Sequence, residues 1–339
     1  MTYGLSYEPQ FSITPRLLSQ VEAVAVLRER IAGVAVDLPW IPALRKDTRT
    51  RNVHASTAIE GNPLTLEQVR ALAEGRELSN AETRPRREVL NYFAGLRFVE
   101  KNARKKAIVR GDVLKLHRLL AAEVMDQGEP GKYRMIAVRV GKHRPPPASE
   151  VSGLMFELLE WWNADSTRLS PVMSSAILHY RFEAIHPFAD GNGRTGRALA
   201  LWELYRRGFD THHIFAVDEF YWEDRPRYYA ALDAVRTAGE DLSTWLEYCA
   251  EGLRQTLERA WLRLQTFQGQ APEKLVLRPR QEKLLHLLRD HGSMAPGQIW
   301  EALGVSRQGA MDMLRPLLDA GLVEKIGGKK TGRYALRKL

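Results

Sequence analysis

The amino-acid sequence predicts a mainly helical protein that carries a little β structure. Apolar side chains recur every three or four residues through most of the 339-residue chain, which is the spacing of one helix face. The alternation typical of strands is confined to 136–143 and to the C-terminal stretch 322–336. No run of about 18 apolar residues is present, so the sequence predicts no membrane span.

Composition and charge narrow the class of protein. Hydrophobic residues make up 44% of the chain and charged residues 27%, as in ordinary globular proteins. The single cysteine, Cys249, cannot form an internal disulfide, and the N-terminus lacks a signal-peptide pattern. We therefore expect a cytoplasmic protein without membrane contacts. The net charge is +9, and from Ala271 onward 13 basic residues face 7 acidic ones, which predicts a nucleic-acid-binding module at the C-terminus.

Local signals set the limits of the predicted helices. The stop Gly61-Asn62-Pro63 ends one helix, and Thr65 with Gln68 has the spacing of a capping box at the start of the next. Asp224 opens a later helix, because aspartate is a favoured N-cap residue. Helical patterns are found at 15–31, 42–60, 66–73, 84–102, 112–125, 150–162, 172–184, 198–205, 224–232 and 241–267.

The most unusual stretch is the loop from His186 to Arg197, which joins two apolar helical segments. The first N–H groups of a helix lack partners and bind anions. Gly191 and Gly193 permit backbone angles that let successive amides surround a phosphate. Arg194 and Arg197 are predicted in the first turn of the second helix, where both can grip one polyphosphate.

Two side chains of this loop add chemistry to anion binding. Asp190 offers one hard oxygen ligand, which suits Mg²⁺. His186 can be neutral near pH 7 and accept a proton from a hydroxyl. These residues favour phosphate-directed transfer to a hydroxyl group. The alternative is a Gly-rich turn whose histidine is satisfied by a backbone carbonyl.

The string 186–197 resembles the signature of the Fic family at every fixed position: His-Pro-Phe-Ala-Asp-Gly-Asn-Gly-Arg-Thr-Gly-Arg. The resemblance implies an all-helical core with a short β-hairpin flap, which transfers AMP from ATP to a protein hydroxyl. It implies that His186 is the base and that Asp190 holds Mg²⁺. The implied nucleotide contacts are Gly191, Asn192, Gly193, Arg194, Gly196 and Arg197, with the two arginines on the β- and γ-phosphates. It also places Tyr228 or Tyr229 near the adenine, although both can equally pack in the core.

Two further segments acquire a role from the same resemblance. Ser56-Thr57-Ala58-Ile59-Glu60-Gly61 resembles the inhibitory helix motif, which implies that Glu60 pairs with Arg197 and blocks seating of the γ-phosphate. Taken alone, Glu60 is an acidic residue in the last turn of a helix, where the dipole disfavours it. The segment 136–143 is a connector by structure and the flap by resemblance. Its edge, with Val138 and Val140, is expected to pair with a target segment through main-chain hydrogen bonds.

The C-terminal stretch resembles a winged helix domain, with helices at 280–290, 295–303 and 306–320 before a strand, a turn and a second strand. The recognition helix would begin with Ser306, Arg307 and Gln308, which can reach base edges of duplex DNA. Lys329 and Lys330 lie on the turn of the wing, where they can contact the phosphate backbone. Winged helices also contact proteins, so docking of a target protein or of a second copy is the alternative.

These predictions divide the chain into four regions: an N-terminal helical region with the inhibitory helix (1–105), a Fic core (106–268), a linker (269–279) and a winged helix domain (280–339). The predicted function is a self-inhibited adenylyltransferase that uses ATP and Mg²⁺ on a target protein or on itself. Two alternatives stay open: a DNA-binding regulator whose Fic core senses a nucleotide, and an enzyme that removes AMP or transfers another nucleotide.

Overall fold

The computed structural model describes residues 7–33, 41–78, 83–141, 143–209, 213–269, 279–319, 322–328 and 332–337. Contacts group the chain into two compact units, Met1–Ala260 and Trp261–Leu339. Most described residues are helical, and the strands form one small sheet in the second unit. The prediction of a mainly helical fold is therefore confirmed. Among the described helices, none is long and apolar enough to cross a membrane.

The first unit is built from helices in the following order: α1 (Pro15–Ala32), α2 (Ile41–Ile59), α3 (Leu66–Ala73), α4 (Thr83–Lys101), α5 (Arg110–Ala121), α6 (Val151–Asn163), a short 3₁₀ turn (Asp165–Arg168), α7 (Pro171–Ile185), α8 (Asn192–Arg206), α9 (Val217–Glu223), α10 (Arg225–Thr237) and α11 (Ser243–Gly269), which continues into the second unit. Two helix starts that were predicted from their capping residues are confirmed. Thr65 and Gln68 form the predicted capping box, and the Asp224 carboxylate accepts from Arg227 N–H at 3.1 Å.

Helices α7 and α8 form the centre of this unit, and nearly all of their side chains are buried. Buried tryptophans contribute to this packing, and the indole N–H groups of Trp162, Trp202 and Trp245 each donate a hydrogen bond, as buried polar groups require. Trp162 Nε1 donates to the carboxylate of Glu203 at 2.6 Å, and Trp245 Nε1 donates to the Ala176 carbonyl at 2.8 Å. This packing fixes both ends of the loop that joins α7 to α8.

The predicted flap contains less β structure than a hairpin. Among its described residues, Val140 and His143 form one isolated antiparallel bridge, and Val138 belongs to no strand. Gly141 turns the chain with a φ of 56°. Three consecutive prolines, 145–147, follow at once and lack the N–H that a longer ladder needs.

The second unit has the order α12 (Pro279–His291), β1 (Ser293–Met294), α13 (Pro296–Leu303), α14 (Arg307–Asp319), β2 (Val323–Ile326) and β3 (Arg333–Leu336). The sheet is antiparallel with the order β1-β3-β2, and Met294 faces Tyr334 in its register. Gly304 has a φ of 61° and makes the turn between α13 and α14. The predicted helices and the last two strands are present, whereas β1 was not predicted because two residues carry no alternation.

Candidate active site

The loop between α7 and α8 has a residue with left-handed backbone angles at each end. His186 has left-handed backbone angles (φ 50°, ψ 61°) just after α7, and Gly191 has a φ of 76° just before α8. A left-handed histidine is uncommon, and the sequence did not reveal it. Because α8 begins at Asn192, Arg194 lies in its first turn but Arg197 lies in its second. The prediction that both arginines share the first turn is wrong by this one turn.

Asn192 and His117 hold the middle of this loop. The Asn192 side chain accepts from Phe188 N–H at 2.9 Å and donates to the Phe188 carbonyl at 2.8 Å. The His117 ring stacks on Phe188 with a centroid distance of 3.6 Å. Because Nδ1 of His117 accepts from Gly131 N–H at 2.8 Å, its Nε2 carries the proton and donates to the Asp190 carbonyl at 2.9 Å. The Asn192 side chain is thus committed to the loop itself, which leaves its main-chain N–H for an anion.

Arg134 fastens the same loop to the segment that follows α5. This guanidinium is only 3% exposed, and it donates to the carbonyls of His186 (2.8 Å), Ile136 (3.0 Å) and Pro146 (2.6 Å). Arg134 was not predicted as a site residue. Nothing in its local sequence marks it, because three of its acceptors, the carbonyls of Pro146, Ile185 and His186, lie 12 to 52 residues away along the chain.

A cavity of about 360 Å³ opens beside the loop. Its lining combines the predicted base, one motif arginine, the inhibitory glutamate, the flap turn and one face of α10. The lining residues are Glu60, Val140, Gly141, Glu183, His186, Gly193, Arg197, Tyr228, Tyr229, Leu232, Asp233 and Arg236.

Arg197 and Glu60 form an ion pair at the floor of this cavity. Arg197 Nη2 lies 2.7 Å from Glu60 Oε1, and its Nε donates to the Ser56 hydroxyl at 2.8 Å. Burial opposes the charge on both, yet each partner favours the ionised form of the other. The pKa of Glu60 is therefore lowered and that of Arg197 is raised well above its usual value. Asp218, in the unpredicted helix α9, lies 3.9 Å from Arg197 Nε.

Two glycines of α8 are required by close approach. Gly193 has ordinary helical angles, so the predicted left-handed role is wrong; a Cβ there would collide with the Glu60 carboxylate and lie 3.2 Å from Arg197 Nη1. A Cβ on Gly196 would lie 2.5 Å from Glu183 Oε1. Real Cβ atoms do not approach side chains this closely, so a larger residue at either position would force the carboxylate of Glu60 or Glu183 to move.

Arg194 is buried but incompletely partnered. Its side chain is 5% exposed, and it lies 3.6 Å from Asp190 Oδ1 and 3.9 Å from Glu88 Oε1. Its Nε and Nη1 atoms, like Nη1 of Arg197, have no hydrogen-bond partner. Buried donors without partners are rare in proteins. Guanidinium groups in this state, close to the free N–H groups that begin α8, fit an anionic ligand.

Asp190 is 32% exposed and its Oδ1 accepts from Gly191 N–H. No group of three or more acidic, histidine or cysteine side chains in the described chain is arranged to hold a metal ion. A lone carboxylate beside a phosphate site nevertheless suits Mg²⁺, which takes few protein ligands and completes its shell with phosphate and water.

His186 is held in its neutral form. Burial lowers its pKa to about 4, and its Nδ1 lies 3.7 Å from Glu183 Oε2. A neutral imidazole can accept a proton, which a general base requires. The sequence analysis did not single out Glu183, which precedes His186 by one helical turn.

The two candidate adenine contacts differ in position. Tyr228 is 1% exposed, and its hydroxyl lies 3.1 Å from His179 Nε2 within a cluster of aromatic rings. Tyr229 is 36% exposed and lies under the guanidinium of Arg225 at 5.4 Å. Both line the cavity, but only Tyr229 presents much surface.

The predicted DNA contacts lie in the second unit. Ser306, Arg307 and Gln308 are exposed at the start of α14, where the Ser306 hydroxyl accepts from Gly309 N–H at 3.2 Å. Lys329 and Lys330 lie outside the described residues.

Comparison with known proteins identifies the relatives of this arrangement. The sequence pattern of the Fic/DOC family matches residues 108–204. Protein adenylyltransferase fic-1 of Caenorhabditis briggsae is 34% identical over 221 residues, which is 64% of this chain but only 42% of that protein. A solved structure of Fic-1 from Caenorhabditis elegans superposes with a TM-score of 0.63 at 26% identity, over 74% of this chain and 73% of the other.

The similarity extends over the whole chain for one bacterial protein. The crystal structure of a Fic family protein from Desulfovibrio desulfuricans is 30% identical, and the two chains cover 98% of each other with a TM-score of 0.71. Because sequence and fold agree along almost the full length, the motif loop does not stand alone as a short match. The chain belongs to the Fic/DOC family.

Proposed function

We propose that this chain is a protein adenylyltransferase, which transfers AMP from ATP to a side-chain hydroxyl of a target protein or of itself. The observation that supports it most is the cavity lined by both a neutral His186 and the Arg197 guanidinium, whose buried Nη1 has no hydrogen-bond partner. A base beside an anion site is the arrangement that attack of a hydroxyl on a phosphate requires. The curated relative from C. briggsae bears the name of the same activity.

ATP would be held by its phosphates at the start of α8. The main-chain N–H groups of Asn192 and Gly193 supply neutral donors, Arg194 would hold the β-phosphate and Arg197 the γ-phosphate. His186 would take the proton of the acceptor hydroxyl while that oxygen attacks the α-phosphorus and pyrophosphate leaves. Asp190 would hold Mg²⁺, which would neutralise phosphate charge.

Glu60 would restrain this activity. Its carboxylate already occupies Arg197 Nη2 at 2.7 Å, and Arg197 is also bound through Nε to Ser56. A γ-phosphate would meet the negative charge of Glu60 and would have to displace it. The Ser56 hydroxyl fixes the guanidinium in the orientation that Glu60 uses.

The test compares wild type with Glu60→Gly, using ATP labelled at the α-phosphate, Mg²⁺ and a mixture of cell-extract proteins. We expect label on protein, the chain itself included, to rise at least about tenfold, because the Glu60 carboxylate no longer competes with the phosphate for Arg197. Intact mass spectrometry then shows whether the added group is one AMP. Gln in place of Glu60 is the matched variant that keeps the side chain but removes its charge.

Two further variants test the roles of His186 and Arg197 separately. Adding His186→Ala to Glu60→Gly should lower transfer by about 10²–10⁴-fold while ATP still binds. Adding Arg197→Ala should also cancel the gain. Equal labelling by wild type and Glu60→Gly would refute the restraint by Glu60 but leave the enzyme; absence of label from every variant would refute the activity.

A second function, DNA binding, is favoured by the second unit. Its order of three helices and a three-stranded sheet, α12-β1-α13-α14-β2-β3, fits a winged helix, and the first residues of α14 are exposed and polar. Titration of the full chain with mixed duplexes at low salt tests this, since phosphate contacts are strongest there. A lack of binding at low salt would favour protein contact instead.

A further inference from the structure

Glu183 is a buried acid beside the cavity that the proposed reaction does not yet use. Its side chain is 9% exposed, and its Oε1 atom has no hydrogen-bond partner. Its other oxygen, Oε2, lies 3.7 Å from Nδ1 of His186. A buried carboxyl without a full set of partners costs folding free energy, so its presence at this position requires a reason.

The helix opposite makes room for this carboxyl. Gly196, in the interior of α8, leaves the space in which a Cβ would come within 2.5 Å of Glu183 Oε1. Glycine inside a helix is less favourable than alanine by about 0.5–1 kcal/mol. Two unfavourable features, a glycine in a helix and a poorly partnered acid, thus meet at Glu183, whose other oxygen lies 3.7 Å from His186 Nδ1.

The charge state of Glu183 is balanced near neutrality. Burial raises its pKa to about 7, the positive charge of Arg197 lowers it, and the negative charge of Glu60 adds to the increase. The main-chain carbonyl of Glu183 also faces the His186 ring and favours its charged form. The other charged or titratable groups that face this pair from neighbouring elements are Arg134, His143, Tyr228 and Arg236.

We propose that Glu183 is a positioning residue whose carboxylate orients His186 and stabilises the imidazolium that His186 forms during transfer. This rests on the proposed function. In the step, the acceptor O–H bond breaks and its proton moves to Nε2 of His186. The acceptor oxygen bonds to the α-phosphorus, the bond from phosphorus to pyrophosphate breaks, and the proton on Nδ1 stays in place, facing Glu183. The imidazolium then carries a positive charge that the nearby carboxylate offsets, as an acid does behind a catalytic histidine elsewhere.

The first test is Glu183→Gln, an isosteric change, made in the Glu60→Gly background. We expect kcat to fall about tenfold while KM for ATP changes less than about twofold, because Glu183 contacts the base and not the phosphates. In the parent, kcat should decline as the pH falls through the pKa of Glu183, which lies below its wild-type value because the charge of Glu60 is gone; in the Gln variant this decline should vanish. Unchanged kcat together with an unchanged pH profile would overturn the proposal.

The second test needs no activity. NMR of the His186 ring protons, assigned by their loss in His186→Ala, should show an inflection near pH 7 that reports the ionisation of Glu183. The inflection should disappear in Glu183→Gln and in Glu183→Leu, whose folding is checked by thermal unfolding. Persistence of the inflection in a folded variant would overturn the contact. An inflection in a parent that transfers no AMP would support the contact and refute the proposed activity, so the two failures are distinguishable.

Discussion

The first unit buries charged side chains around its cavity, whereas the second unit buries an apolar cluster. Five side-chain atoms without hydrogen-bond partners belong to Glu183, His186, Arg194 and Arg197, all beside the loop between α7 and α8. In the described part of the second unit, the one buried polar side chain is Gln281, which donates to the Met313 carbonyl at 3.1 Å.

This difference distinguishes buried residues that stabilise the fold from buried residues that fit a ligand. Apolar burial stabilises a fold in proportion to the area removed from water. Buried donors without partners reduce stability unless something else supplies an acceptor. We infer that the unpartnered groups around the cavity lower the stability of the first unit and that a bound nucleotide would restore it. The described core of the second unit contains no such unpartnered side-chain atoms.

The largest loss of stability is expected where the second unit is best packed. Leu314 is 1% exposed within the cluster formed by α12, α13, α14 and the sheet. Leu314→Ala should lower the free energy of unfolding by about 2–5 kcal/mol, because it removes apolar contacts and leaves a cavity. Hydrogen exchange of the α12 and α14 amides in the full chain measures this. Ile326→Ala, at a side chain that is 48% exposed, is the matched control and should cost far less.

An opposite sign is expected at Arg194 of the first unit. Arg194→Met keeps the length of the side chain but removes a buried charge with two unpartnered nitrogens, so it should raise the free energy of unfolding by about 1–3 kcal/mol. ATP binding, measured by calorimetry, should weaken at least about tenfold.

Arg206 is the matched control for that change. It is equally buried, at 6% exposed, but it is fully engaged with Glu203, Asn163 and the Trp162 carbonyl. Arg206→Met should therefore destabilise the protein. If both variants lowered stability alike, the contrast between ligand-serving and fold-serving arginines would be wrong.

The features that could be predicted from the sequence are those that depend on neighbouring residues in the chain. Helix positions followed from apolar spacing and from local caps such as Thr65 and Asp224, because these depend on neighbours in the chain. The motif placed His186 and Arg197 at one site for the same reason. Arg134 and Asp218 were missed because most of their partners come from distant segments. Glu183 was missed because its proximity to His186 depends on the left-handed backbone angles of His186, which the sequence does not reveal.

A smaller effect on stability is expected from pH. The pKa of His186 is about 4 in the folded state and roughly 6.5 in an unfolded chain, so between these values the unfolded state binds more protons. This contribution is present above pH 6.5 and is lost as the pH falls through the window. Glu183, with a raised pKa, titrates in the opposite sense and masks it in the total.

Comparing variants isolates the His186 contribution. The fall in the free energy of unfolding from pH 7 to pH 5 should be roughly 2 kcal/mol smaller in His186→Gln than in wild type. Urea unfolding at the two pH values measures this. His291→Gln, at an exposed histidine of the second unit, should leave the fall unchanged. An identical pH dependence in His186→Gln and wild type would show that His186 is not held neutral by burial.

The smallest effect on stability is expected at the start of α14, where the second unit shows its only proposed function. Arg307 is exposed, so Arg307→Ala should change the free energy of unfolding by no more than about 0.5 kcal/mol. If α14 enters the major groove, the same change should relax preference for one base pair by about 1–3 kcal/mol while leaving the rest of the sequence preference intact. Binding of the full chain to a duplex library at low and moderate salt measures both affinity and preference. Uniform weakening across all sequences would instead assign Arg307 to the phosphate backbone, and unchanged binding would remove α14 from the DNA interface.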